Sequence, residues 1–188
     1  MFIIISAMRK KRTKLSAYDK SIQLLARRGY AVKELTEALL KKEYPAEEVL
    51  EAINLLLEHR YLNDESFAYE RIRSRALLSK WGKRRIQTEL KNKGVDEAII
   101  HKAFNQFEEG TEERLGETHD WQQEATDLLL RKYGAFPNTL YEKVNNANGW
   151  EEKQDALKSI HKEKSKRINF LLRRGFSNEQ AIKALEQA

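Results

Sequence analysis

Three places along this 188-residue chain carry one pattern, and that pattern dictates a helix that ends, turns and begins again. With Glu43, Gly94 and Gly175 aligned, Leu39, Leu90 and Leu171 stand four residues before them and Tyr44, Val95 and Phe176 directly after. Val49, Ile100 and Ala181 lie six residues on, and Ile53, Phe104 and Leu185 ten. A helix that stops at glycine can close with a positive φ at its C-terminal cap. The apolar residue that follows then packs as a staple on the fourth position of the new helix. Val95 pairs with Ile100 in this way, with Asp96 as cap, and Ser177 with Gln180 forms a capping box behind Phe176. The first copy departs, with Glu43 in place of glycine and Pro45 at the cap or first turn. Leu62-Asn63-Asp64 is a further joint, Asn63 capping and Leu62 stapling onto Phe67.

Apolar residues spaced at 3.6 predict helices near 17–28, 32–42, 46–59, 64–79, 83–93 and 97–107, another starting near 121, a long one over 150–174 and a last from 178. The inward residues are Tyr18, Ile22 and Leu25, then Val32, Leu35 and Leu39, then Val49, Ile53, Leu56 and Leu57. Phe67, Ala68 and Ile72, Ile86 and Leu90, and Ala125, Leu128 and Leu129 continue the series. Only 8 Gly and 2 Pro interrupt the chain, which favours long helices over a turn-dense sandwich or barrel. Each expected unit holds three helices: 16–62, 63–107 and 121–188, the last with an insertion at 134–149. Residues 1–15 read as a flexible basic arm whose start is Met1 or Met8, and the acidic stretch 108–120 reads as a linker. A three-helix unit of this size buries little alone, so the units are expected to stack.

The net charge of +6 is unevenly placed. Residues 1–30, 71–93 and 158–174 carry +7, +8 and +6, while 31–70 and 108–127 carry −6 and −7. Basic blocks recurring in similar units suit an acidic or polyanionic partner, though any single block is equally a solvated face. Arg71 and Arg75 are one turn apart and reach the same side of their helix. Lys83, Arg84 and Arg85 crowd a helix start, where the dipole disfavours cations. Such a local conflict points to a site. Arg27, Arg28, Lys91, Lys93, Arg173 and Arg174 lie at helix C-termini, where a capping role competes with a contact role. Arg167 belongs to the basic face of the long helix. Trp81 and Trp121 are expected in the core, and Tyr69, on a more polar face, is left open between packing and base stacking.

Zero cysteines exclude disulfides, thiol catalysis and thiolate metal sites. His59, His101, His119 and His161 are scattered, and no glycine-rich phosphate loop occurs. The expectation is therefore no enzyme, no metal and no cofactor. The apolar run 2–5 is too short for a signal peptide or a membrane helix, and a cytoplasmic location follows as an expectation.

The same residues resemble the RecX family, regulators of the RecA recombinase. The resemblance rests on Leu25-Ala26-Arg27-Arg28 and on Tyr61-Leu62-Asn63-Asp64-Glu65-Ser66-Phe67-Ala68 with Arg73 and Arg75. It continues through Gly82-Lys83-Arg84-Arg85-Ile86-Gln87-Thr88-Glu89-Leu90-Lys91-Asn92-Lys93-Gly94-Val95 and closes at Phe170-Leu171-Leu172-Arg173-Arg174-Gly175-Phe176-Ser177. Arg60 and Glu43 stand where the family usually has glycine, and the insertion is longer than expected. The resemblance implies an all-α, elongated, curved array of three tandem three-helix repeats. It implies binding to RecA filaments on DNA and damping of ATP hydrolysis, strand exchange and co-protease stimulation in recombination and the SOS response; the chain itself is expected to be a monomer. It also implies weaker, non-specific binding to single- and double-stranded DNA. The residues themselves leave open a sequence-independent DNA-binding module and an interaction scaffold. On sequence grounds, reversing Arg71, Arg75, Arg84 and Arg85 together should abolish inhibition with melting nearly unchanged.

Overall fold

A computed structural model describes residues 15–115 and 119–188, with side chains described for all of these but 111–115. The expected N-terminal arm, apart from Leu15, lies outside the described residues. Among them the chain is all-α, with ten helices and no strand. They divide into two compact units, one ending at Asn63 and one running from Asp64 to Ala188.

The first unit holds α1 (Ala17–Leu25), α2 (Val32–Leu40) and α3 (Ala46–Glu58). Its core joins Ala17, Leu35, Leu39, Tyr44, Val49, Ala52, Ile53, Leu56 and Leu62. Ser16 caps α1 by accepting the Asp19 N–H, and the first N–H of α1 donates to Glu48 of α3 at 2.7 Å. Two residues expected inside are not. Ile22 is 36% exposed and Leu57 42%, because the buried stripes run through Ala17 and Ser21 on α1 and through Val49, Ala52, Ile53 and Leu56 on α3.

The second unit holds α4 (Asp64–Leu77), α5 (Lys83–Asn92), α6 (Glu97–Leu115), α7 (Trp121–Tyr133), α8 (Asn138–Asn145), α9 (Trp150–Arg174) and α10 (Asn178–Gln187). α4 packs on α5 and α6, α7 on α9 and α10, and α8 on α9. Ala125, Leu128, Leu129, Leu171, Phe176, Ala181 and Ala184 form one core of this unit. Two expectations change here. α6 continues to Leu115 through the first part of the stretch read as a linker. Glutamate is a good helix former, and the lone Gly110 costs only about 1 kcal/mol. Gly110 also gives room for the Tyr69 hydroxyl, which lies against it, so Tyr69 is half-buried in packing. The stretch read as an insertion contains α8, which begins directly after Pro137.

The joints that organise the chain share one geometry. Glu43, Gly94 and Gly175 all have positive φ, at 61°, 82° and 94°. Each donates its N–H three residues back, to Leu40, Lys91 and Leu172. The next residue donates five residues back: Tyr44 to Leu39 at 3.5 Å, Val95 to Leu90 at 3.1 Å and Phe176 to Leu171 at 3.2 Å. This is the Schellman closure of a helix end, complete with its apolar contact, since all six of these side chains are buried. The capping box at Ser177 and Gln180 is present, and Asp96 accepts the Ala98 N–H at 2.8 Å.

Arg60 adopts φ 57° between α3 and α4, and its side chain is exposed. A left-handed conformation costs an ordinary residue about 1–2 kcal/mol, part of which glycine returns through unfolded-state entropy. Arg60→Gly is therefore expected to raise stability by about 0.5–1 kcal/mol, read as a higher urea midpoint at unchanged slope.

Candidate functional site

Two basic stretches far apart in sequence meet at one point of the second unit. The end of α9, Arg173-Arg174-Gly175, docks on the start of α5, Gly82-Lys83-Arg84-Arg85. The Gly82 N–H donates to the Arg174 carbonyl at 2.9 Å, and the Arg84 N–H to the Gly175 carbonyl at 3.1 Å. These bonds satisfy donors at the start of α5 and an acceptor at the end of α9, groups that lack partners within their own helices. Both glycines are required by the closeness of approach. A Cβ at Gly82 would sit 2.4 Å from the Gly175 carbonyl carbon, and one at Gly175 would sit 2.3 Å from the Arg85 Cβ.

Side chains lock the same junction. Arg85 donates to the Arg173 carbonyl at 3.2 Å while its guanidinium lies 3.8 Å from the centre of the Trp81 ring. Arg75 lies over that ring too, at 4.4 Å, so half-buried Trp81 serves as a platform for two guanidinium groups. Arg174 donates to the Ser79 carbonyl at 3.2 Å. The side chains of Arg84 and Arg173 stay exposed and make no hydrogen bond or ion pair with the described residues. Beside them Lys83, Arg84, Gln122, Ser177, Glu179 and Lys183 line a cleft of about 390 Å³. The first turn of α5 carries no acidic residue. The helix N-terminus therefore adds its positive end to a group of cations, a field that draws anions.

Internal partners hold most of the other basic residues expected to form the surface. Arg75 grips Glu89 in a two-pronged pair at 2.8 and 2.9 Å, and Arg71 approaches the same carboxylate at 3.7 Å. Burial works to raise the Glu89 pKa, but the Arg75 hydrogen bonds and the charges of Arg75, Arg71 and Lys93 outweigh it and hold the carboxyl below its usual range. Arg71 and Arg75 do share one face, as their spacing implies, and that face ties α4 to α5. Reversing them would set two acids against Glu89, so the fourfold reversal would also destabilise the protein. Arg28 makes a two-pronged pair with Glu34 and lies 3.6 Å over the Tyr30 ring. Lys91 pairs with Glu97 at 2.6 Å and Lys83 with Glu108. Lys93 is half-buried, whereas the Arg27 side chain is exposed and unpaired among the described residues.

Arg167 is a correction. It is 1% exposed, not part of a surface. Its guanidinium donates to Glu163 at 3.0 Å and to the carbonyls of Gly134 and Ala135 at 2.9 and 3.2 Å, closing the end of α7. Lys183 was not anticipated from sequence, because a single lysine within α10 stands outside every basic run.

Where α6 packs against the start of α7, Phe104 and Phe107 lie 6.2 and 6.3 Å from Trp121, which is 7% exposed and in the core as expected. Trp121 donates its indole N–H to Glu108 at 3.0 Å. The His119 ring sits 4.4 Å from Trp121 and 5.4 Å from Phe107, and its buried Nε2 has no hydrogen-bond partner among the described residues. Burial pushes the His119 pKa down.

Residues 17–56 match the family model described as RecX, first three-helix domain, and residues 63–103 match RecX, second three-helix domain. The chain is 32% identical over 171 residues to a regulatory protein RecX of Vibrio vulnificus (strain CMCP6), covering 91% of this chain and 92% of that protein. It is 32% identical over 172 residues to the regulatory protein RecX of Vibrio parahaemolyticus serotype O3:K6 (strain RIMD 2210633), covering 91% and 90%. Its fold resembles the crystal structure of RecX from Lactobacillus salivarius, with a TM-score of 0.59 and 19% identity over 92% of this chain and 96% of that one.

Gly175→Ala is expected to cost about 2 kcal/mol or more, from the left-handed backbone and the collision with Arg85. The check is urea unfolding followed by tryptophan fluorescence. His119 prefers the neutral form in the folded state, so its contribution to stability is present above an unfolded pKa of about 6.5 and is lost as pH falls below it. The fall in melting temperature from pH 7 to pH 5 is therefore expected to be smaller in His119→Phe than in the wild type.

Proposed function

This chain belongs to the RecX family, and from that premise we propose that it is a negative regulator of the RecA recombinase. In this reading it binds RecA filaments on DNA as a monomer in the cytoplasm, and it slows ATP hydrolysis, strand exchange and co-protease stimulation in recombinational repair and the SOS response. Its relatives are named regulatory proteins, and in this reading it acts by binding, without catalysis or cofactor of its own.

The observation that carries the reading is the meeting of Arg173-Arg174-Gly175 with Gly82-Lys83-Arg84-Arg85. Arg84 and Arg173 project unpaired from the junction, with Lys183 beside them in the cleft. Arg85 and Arg174 anchor it. These five residues form the core of the contact surface, and Arg27, Arg28, Lys83, Lys91 and Lys93 supply weaker contacts. Arg71 and Arg75 shape the surface without leading it. The three Schellman joints support a repeat organisation of 16–62, 63–107 and 121–188. Single- and double-stranded DNA bind the same surface more weakly and without sequence preference, because phosphates attract cations whatever the bases.

The test adds the protein to RecA on single-stranded DNA and follows ATP hydrolysis. Inhibition is expected at protein levels well below those that saturate the DNA, and it should weaken steeply with salt. Arg84→Glu with Arg173→Glu is expected to lower inhibition about tenfold or more at unchanged melting temperature, since neither side chain has a partner among the described residues. Inhibition only when the protein coats the DNA would instead support a plain DNA-binding module, and none at any ratio would exclude both.

A further inference from the structure

The first unit presents a face of opposite character. α3 carries four glutamates and no lysine or arginine. Glu48 is used within the fold, accepting the Ala17 N–H at 2.7 Å. Glu47, Glu51 and Glu58 are exposed and make no hydrogen bond or ion pair with the described residues. At about 100° per residue these three fall within an arc of about 40° on the outer side of the helix. Leu50 and Leu57 lie together along one edge of that arc, 63% and 42% exposed, and Leu55 along the other at 37%. Tyr61, 62% exposed, follows the end of the helix. An acidic ridge bordered by open leucines is therefore built into a chain whose net charge is +6.

Phosphodiester backbones and anionic membranes carry the sign that this ridge repels. The occupant that satisfies both of its features is a polypeptide, with lysines or arginines to reach the glutamates and apolar side chains to cover the leucines. We propose that the outer face of α3 docks a basic, apolar segment of a protein partner. Resting on the function proposed above, that partner is the protein part of the filament. Recognition then divides between two surfaces: the α5–α9 junction takes polyanion, and α3 takes the recombinase itself. Because the two ligands differ in charge, each surface rejects the other's.

Full-length Glu47→Lys/Glu51→Lys/Glu58→Lys and Leu50→Ser/Leu57→Ser variants test this. Binding is measured to RecA filaments on single-stranded DNA and to the same DNA without RecA. All five positions are exposed, and circular dichroism melting checks that the variants stay folded. Each variant is expected to bind filaments about tenfold more weakly, while bare DNA is bound as by the wild type in the Leu50→Ser/Leu57→Ser variant and at least as tightly in the lysine variant, whose added cations attract phosphate. Arg84→Glu/Arg173→Glu should weaken both. A variant that binds filaments normally overturns the docking proposal while leaving the proposed function standing. A wild type that does not prefer filaments to bare DNA overturns both. Sedimentation that shows a dimer dissolved by Leu50→Ser/Leu57→Ser would assign the face to a second copy and overturn the proposal.

Discussion

The left-handed residue that closes a helix is the constraint on which this chain is organised. At Glu43, Gly94 and Gly175 the backbone turns through positive φ, and two hydrogen bonds reach back into the helix just ended. The residue after each turn is thereby fixed in direction, and in all three cases it is a buried apolar side chain. A single backbone conformation thus sets helix length, exit direction and core composition together. Glu43 holds the same geometry without being glycine, so the joint persists even where the favoured residue is missing. The surrounding packing of Tyr44, Leu39 and Val49 supports it.

The junction of α5 with α9 adds a second constraint. Lys83, Arg84 and Arg85 work against the dipole of their own helix, while Arg173 and Arg174 agree with theirs. The two ends satisfy one another's backbone groups through Gly82 and Gly175. Cations gathered in this way cannot all be solvated independently. Some turn inward to carbonyls and to Trp81, and Arg84 and Arg173 turn out. Free positive charge at this place is a consequence of how the helices dock.

Much of this was legible in the sequence. Joints were readable because their chemistry is local: Asp96 and Ser177 act on residues two or three away, and a staple spans five. Interior positions followed from periodicity wherever a helix buries one clean stripe, as α5 does with Ile86 and Leu90. Ile22 and Leu57 failed because small residues, Ser21 and Ala52, let a neighbouring element approach along a stripe that hydrophobicity alone does not mark. The candidate site was legible as a set of residue types but not as a set of free groups. Glu89 neutralises Arg75 from another helix, Glu108 meets Lys83 across 25 positions, and Arg167 turns inward to carbonyls 32 and 33 residues away. Such partners are fixed by tertiary packing, to which a charge count along the chain is blind. α8 was missed for a related reason, since its short apolar face has meaning only against α9.

The docking of Gly175 on Gly82 also orders events during synthesis. α1, α2 and α3 make their core from residues that leave the ribosome early. α5 is different: acceptors for its first amides arrive with the carbonyls of Arg174 and Gly175, more than 80 residues later. Until then its cationic start is open, with donors aimed at water or at whatever polyanion is near, and in a cell making protein that includes ribosomal and messenger RNA. A nascent chain of this design therefore holds the first amides of α5 without their native acceptors until Arg174 and Gly175 have been made. The end of α9 closes that interval, since the carbonyls of Arg174 and Gly175 take up those amides.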